Sequence, residues 1–103
     1  MIIYVDIDNT ITKTIGEDYK NAMPDYTAID RVNNLFNAGH VIIYWTARGV
    51  GRVIDFYDMT KEQLDSWGCK YHALRTDKPV YDAFIDDKNF NTIKQFEEKN
   101  EIN

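Results

Sequence analysis

Two unbroken apolar runs, Ile2 to Val5 and Val41 to Trp45, constrain this chain most. Both are rich in β-branched and aromatic residues, and neither alternates with polar positions. Such runs suit strands buried on both faces, as in a parallel sheet. Weaker strand signals lie at Tyr71 to Leu74 and Ala83 to Ile85. Helical signals fall between them. Ile29, Val32, Leu35 and Phe36 share one helical face, with Gly39 as the stop. Thr60 and Gln63 fit a capping box, with Met59 and Leu64 placed as a hydrophobic staple and Gly68 as the end. Phe90, Ile93 and Phe96 predict a last helix that frays into a polar tail from Glu97 to Asn103. The order strand, helix, strand, helix, strand, strand, helix predicts an α/β domain with a central parallel sheet and helices on both faces, a three-layer sandwich. At 103 residues it is read as one domain, residues 1–103.

The first run ends in Asp6-Ile7-Asp8-Asn9-Thr10. Residues two apart on an extended chain face the same way, so Asp6 and Asp8 present two carboxylates where the strand leaves the sheet. Such a pair repels unless a cation or a proton lies between them, and an oxygen-rich pair suits magnesium. The second run ends in Thr46-Ala47-Arg48-Gly49, and the fourth strand signal ends in a second acidic pair, Asp86-Asp87. Lys78 lies between them in the chain. Strand ends of a parallel sheet converge on one crevice, so four aspartates, a threonine and a lysine are expected to meet there. Singly, each has a plainer reading: Thr46 as a turn cap, Lys78 as a solvated charge, Asp86 and Asp87 as partners for a helix start. Two segments fit no helix or strand pattern, Ile11 to Pro24 and Arg48 to Asp58. Both follow strand ends, where ligand loops lie.

In that order these residues resemble the haloacid dehalogenase-like (HAD-like) hydrolase superfamily. Asp6-Ile7-Asp8-Asn9-Thr10 is similar to its first motif, Thr46 to its second, Lys78 to its third and Asp86-Asp87 to its fourth, over residues 2 to about 88. The resemblance implies a Rossmann-like fold and a phosphatase, because Asp8 stands where dehalogenases lack a carboxylate. Asp6 would be the nucleophile that forms an aspartyl-phosphate, and Asp8 the general acid and base. Thr46 and Lys78 would hold the phosphoryl group, with Asn9, Ala47 and Arg48 binding substrate beside them. Mg²⁺ would sit on Asp6, the backbone carbonyl of Asp8 and Asp86, with Asp87 close by or bound through water. The short gaps after Thr10 and after Leu74 imply a member without a cap domain.

A sugar phosphate is one expected substrate; a nucleotide or a polynucleotide 3′-phosphate end is another, and a phosphotransferase is a further alternative. Outside enzymes, a receiver-like phosphoacceptor and a degenerate binding protein of the same fold are the rivals. Arg52, Tyr19 and Arg75 are further substrate-contact candidates, while Trp45, Trp67, Tyr44 and Cys69 read as core. Neither His40 nor His72 has zinc-ligand spacing with Cys69.

The net charge of −5 argues against general nucleic-acid affinity. The opening apolar run meets Asp6 too soon for a signal peptide or a membrane span. The one cysteine cannot form an internal disulfide and points to a reducing cytoplasm. A small phosphorylated substrate is the expected partner, with a homo-oligomer allowed.

Overall fold

The computed structural model describes residues 1–100. A three-stranded parallel sheet forms from β1 (Ile2–Val5), β4 (Val41–Trp45) and β5 (Ala73–Arg75), in the order β1-β4-β5. Tyr44 in the middle strand pairs with Val5 on one side and Leu74 on the other. Three helices flank the sheet: α1 (Tyr26–Asn37), α2 (Tyr57–Ser66) and α3 (Ile93–Lys99). No helix among the described residues is long and apolar enough to cross a membrane.

Alternate strand residues explain where the core lies. Val5, Ile42, Tyr44 and Leu74 are buried and pack with Ile29, Val32 and Leu35 of α1 and Leu64 of α2. Ile3, Phe36, Trp67, Cys69, Tyr71, Ile93 and Phe96 close around this cluster. The other register of β1 is much less covered, since Ile2 and Tyr4 are both exposed. Tyr4 meets Trp45 edge-on at 5.4 Å, and Arg75 reaches over the Tyr4 ring. Trp45 is thus only half-buried, not the core residue expected.

Helix α1 follows its predicted face, and its start is fixed by Asp25, whose side chain accepts from Ala28 N–H at 3.1 Å. It stops at Gly39, whose φ of +96° favours glycine. Helix α2 departs from expectation. It begins at Tyr57, where the Asp55 side chain accepts the Tyr57 N–H at 2.9 Å. Thr60 is therefore inside the helix and fully buried, so the capping box does not form. Helix α3 begins after Thr92, which accepts from Gln95 N–H at 3.1 Å. Phe90 stays outside the helix and packs edge-on against Phe96. The expected tail runs on into residues 101–103, outside the described residues.

The third strand forms two residues later than its signal, at Ala73–Arg75. The predicted strand at Ala83 to Ile85 does not form. Residues 76–92 hold no helix or strand, Ile85 is 99% exposed, and β1 has a neighbour on one side only. An apolar triplet becomes a strand only when it finds a partner, and this one has none. The polar segment after β1 is more regular than expected. Its β2 (Thr12–Lys13) and β3 (Met23–Pro24) pair as a small antiparallel hairpin, with a single 3-10 turn at Tyr19–Asn21 between them.

Candidate active site

Strand β1 delivers Asp6 and Asp8 to the C-terminal edge of the sheet, and β4 delivers Thr46 beside them. The chain then returns through β5, so that the Lys78 N–H donates to the Thr46 carbonyl at 3.1 Å. That bond brings Lys78 Nζ to 3.5 Å from Asp6 Oδ2. Residues 6, 46 and 78 thus lie together, three of the six expected to meet. Burial pushes the Asp6 carboxyl above its ordinary value. The Lys78 ammonium and the Ile7 N–H act against that rise, and the Asp8 charge adds to it.

Thr46 is 1% exposed. Its N–H donates to the Arg75 carbonyl, and its hydroxyl oxygen accepts from the Arg48 N–H at 3.2 Å. The hydroxyl proton remains for an acceptor. Ala47 is half-buried in the turn that follows, where its carbonyl accepts from Val50 N–H.

Asp8 faces a different partner from Asp6. Arg48 Nε donates to Oδ2 at 2.9 Å and Nη2 to Oδ1 at 2.8 Å, a bidentate pair. Thr14 adds its hydroxyl to Oδ1 at 2.8 Å. The guanidinium has no solvent exposure, since Nη1 donates to Thr60 Oγ1 at 3.1 Å and to Gln63 Oε1 at 2.6 Å. The Tyr19 ring lies 4.8 Å from Arg48 Cζ. Arg48 was expected to bind substrate; the structure instead buries it on Asp8. Tyr19, expected as another contact, forms part of that wall.

Asn9 was also expected at the substrate. It adopts a φ of +62°, donates its N–H to Thr12 Oγ1 at 3.2 Å and accepts from Thr14 N–H through its side chain at 3.0 Å. Its backbone donor and its side-chain carbonyl are both engaged in holding the hairpin loop. Arg75 pairs with Asp77, and Arg52 with Glu17.

Asp86 and Asp87 are exposed in the 76–92 loop. No group of three or more His, Cys, Asp or Glu side chains among the described residues is placed to hold a metal ion. The structure therefore brings Asp6 and Asp8 together but leaves the second acidic pair apart, because the strand that was to carry it is not formed. The fit to a divalent cation is correspondingly incomplete. Asp6 offers a carboxylate, and although both Asp8 side-chain oxygens already accept strong donors, the Asp8 group expected to bind is its backbone carbonyl.

A polar cavity of about 290 Å³ adjoins the cluster, lined by Arg48, Arg52, Asp55, Phe56 and Thr76 among others. Sequence reasoning missed Thr14, Thr60 and Gln63 as parts of the site. The spacing of Thr12 and Thr14, two hydroxyls two residues apart in an extended segment, was the only local signal for Thr14.

No family model matches the sequence, and no curated protein matches it. Among solved structures, a crystallographic target from Vibrio cholerae is similar, with a TM-score of 0.73 and 28% identity over 97% of this chain and 99% of that one. The likeness extends over the whole of both chains and carries no stated activity.

Proposed function

We propose that this chain is a capless phosphatase of the HAD-like type, a three-layer α/β hydrolase that cleaves a phosphomonoester through an aspartyl-phosphate on Asp6. One observation carries the reading: the Asp6 carboxylate stands 3.5 Å from Lys78 Nζ, and the Lys78 N–H is bonded to the Thr46 carbonyl at the same strand edge. A carboxylate nucleophile needs a neighbouring cation to approach a phosphate anion, and that cation then stabilises charge developing on the phosphoryl oxygens. Lys78 meets both needs. Thr46 has a hydroxyl proton to donate to a phosphoryl oxygen, and the Ala47 N–H stands next to it. Asp8 serves the leaving group and the incoming water, held to one orientation by Arg48 and Thr14.

Mg²⁺ belongs to this proposal as the expected cofactor, with Asp6 as its first ligand and Asp86-Asp87 as the pair able to complete it. It would supply charge neutralisation at the phosphate. Because those donors are not assembled here, no step above depends on the ion. A sugar phosphate is the substrate class we favour. The adjoining cavity places Arg52, Asp55 and Thr76 beside Val53, Ile54 and Phe56, so it offers polar groups to a hydroxyl-rich leaving group.

The test is a turnover screen over aryl, sugar and nucleoside phosphates, with and without Mg²⁺, using Asp6→Asn as the control. Acid quench followed by peptide mass analysis should find a phosphoryl group on Asp6 and none in the variant. Undiminished turnover by Asp6→Asn would remove Asp6 from the nucleophile role. Phosphorylation of Asp6 without turnover would favour the receiver-like reading.

A further inference from the structure

We infer that Arg48 is a positioning residue for Asp8 and that Gln63, on α2, in turn positions Arg48. The inference rests on the phosphatase reading above and deepens it at the same site. A basic residue two places after Thr46 invites the view that it grips the phosphate. The geometry excludes that role. The guanidinium has no solvent exposure, and Nε, Nη1 and Nη2 all donate within the protein. The Tyr19 ring covers it as well. A group so enclosed acts on a substrate through what it holds.

What it holds is the plane of the Asp8 carboxylate. An ionised carboxylate offers about four acceptor positions. Arg48 takes one on each oxygen, and Thr14 takes a second on Oδ1. One position, on Oδ2, is left for exchange of a proton with a leaving group or water. Proton transfer is acutely sensitive to such placement. Gln63 extends the arrangement outward. Its Oε1 accepts from Arg48 Nη1 at 2.6 Å while its Nε2 donates to the Tyr19 carbonyl at 2.7 Å. The strand exit, α2 and the turn at Tyr19–Asn21 are thereby joined through one buried guanidinium.

The experiment compares wild type, Arg48→Lys, Gln63→Leu and Thr14→Val on an activated aryl phosphate and an alkyl phosphate. Lysine keeps the charge but loses the fork. Expected for Arg48→Lys is a kcat loss of about a hundredfold on the alkyl phosphate and under about tenfold on the aryl phosphate, with KM within about threefold on both. Gln63→Leu and Thr14→Val should show the same pattern more weakly, and they carry the test if Arg48→Lys does not fold. Circular dichroism establishes which variants are folded. A raised KM with unchanged kcat would overturn the inference in favour of a substrate contact. An equal fall on both leaving groups, or lowered melting with kcat untouched, would reduce Arg48 to scaffold. The Asp6→Asn control separates the two levels, because turnover surviving in it sinks the nucleophile assignment itself.

Discussion

The buried Arg48–Asp8 pair makes a prediction that needs no substrate. In Arg48→Met the aliphatic stem is kept and the guanidinium is removed. Asp8, with a side chain 18% exposed, then keeps only the Thr14 hydroxyl and partial access to water. The Thr60 hydroxyl and the Gln63 carbonyl lose their donor too. Breaking a buried ion pair from one side costs about 3–5 kcal/mol, and the residual solvation of Asp8 places this case near about 3 kcal/mol. A domain of this length holds roughly 5–15 kcal/mol in total, so the melting point should fall by about 15 °C. Asp8→Leu should cost as much or more, since it strands a guanidinium that has no exposure at all. The double variant should be milder than the two losses combined, because exchanging both charges for apolar groups is often close to neutral. Urea denaturation followed by circular dichroism measures all four corners of the cycle. A coupling of about 2 kcal/mol or more is expected. A loss below about 1 kcal/mol for Arg48→Met, or costs that add to within about 0.5 kcal/mol, would refute the reasoning.

Three further outcomes follow from single positions. Gly49 has a φ of +82°, and an added Cβ would lie 2.9 Å from the Ile54 carbonyl oxygen and 3.0 Å from Phe56 Cδ2. Gly49→Ala should therefore cost about 2–3 kcal/mol by urea titration, and a neutral result would mean the 48–56 loop is not held as described. Tyr44 Oη is buried with no nitrogen or oxygen partner among the described residues and only the weakly bonding Cys69 thiol beside it, so Tyr44→Phe should be neutral or gain up to about 1 kcal/mol; a clear loss would show that the thiol contact holds the hydroxyl. Burial pushes the Cys69 thiol up to about 11, with the Asp65 charge adding to the rise and Tyr44 opposing it. The thiolate is the reactive form, so iodoacetamide at pH 8 should modify native Cys69 about two orders of magnitude more slowly than the urea-unfolded chain. Equal rates in the two states would contradict that environment.

What the sequence revealed was what short-range pattern carries. The runs Ile2 to Val5 and Val41 to Trp45 became strands, although Ile2 and Tyr4 are exposed where burial on both faces was expected, and the Ile29, Val32, Leu35 face of α1 went into the core because its helical spacing is written along the chain. Asp6, Thr46 and Lys78 were brought together because parallel strand ends share an edge. The misreadings have long-range causes. Thr60 has the spacing of a cap, but its hydroxyl accepts from Arg48, twelve residues earlier, and Asp55 fixes the helix start. The role of Arg48 was hidden because its carboxylate partner lies forty residues away. Ala83 to Ile85 has strand composition, but composition does not supply a neighbouring strand.

The two carboxylates also answer a question that the sequence posed differently. Side by side on one strand exit, Asp6 and Asp8 need positive charge close at hand, and a bound cation was the inferred source. The fold supplies it from its own side chains and separately, with Lys78 at 3.5 Å from Asp6 and Arg48 at 2.8 Å from Asp8. Mutual repulsion of the pair is therefore no longer an argument for a metal. On the phosphatase proposal, what still argues for one is the substrate, since a phosphate dianion would have to approach Asp6 while Lys78 alone offsets one negative charge. The division also sorts the roles. Lys78 keeps some exposure and faces the carboxylate proposed to attack, whereas Arg48 has none and fixes the carboxylate proposed to move protons. A chain carrying a net charge of −5 can thus present a locally balanced edge to an anion.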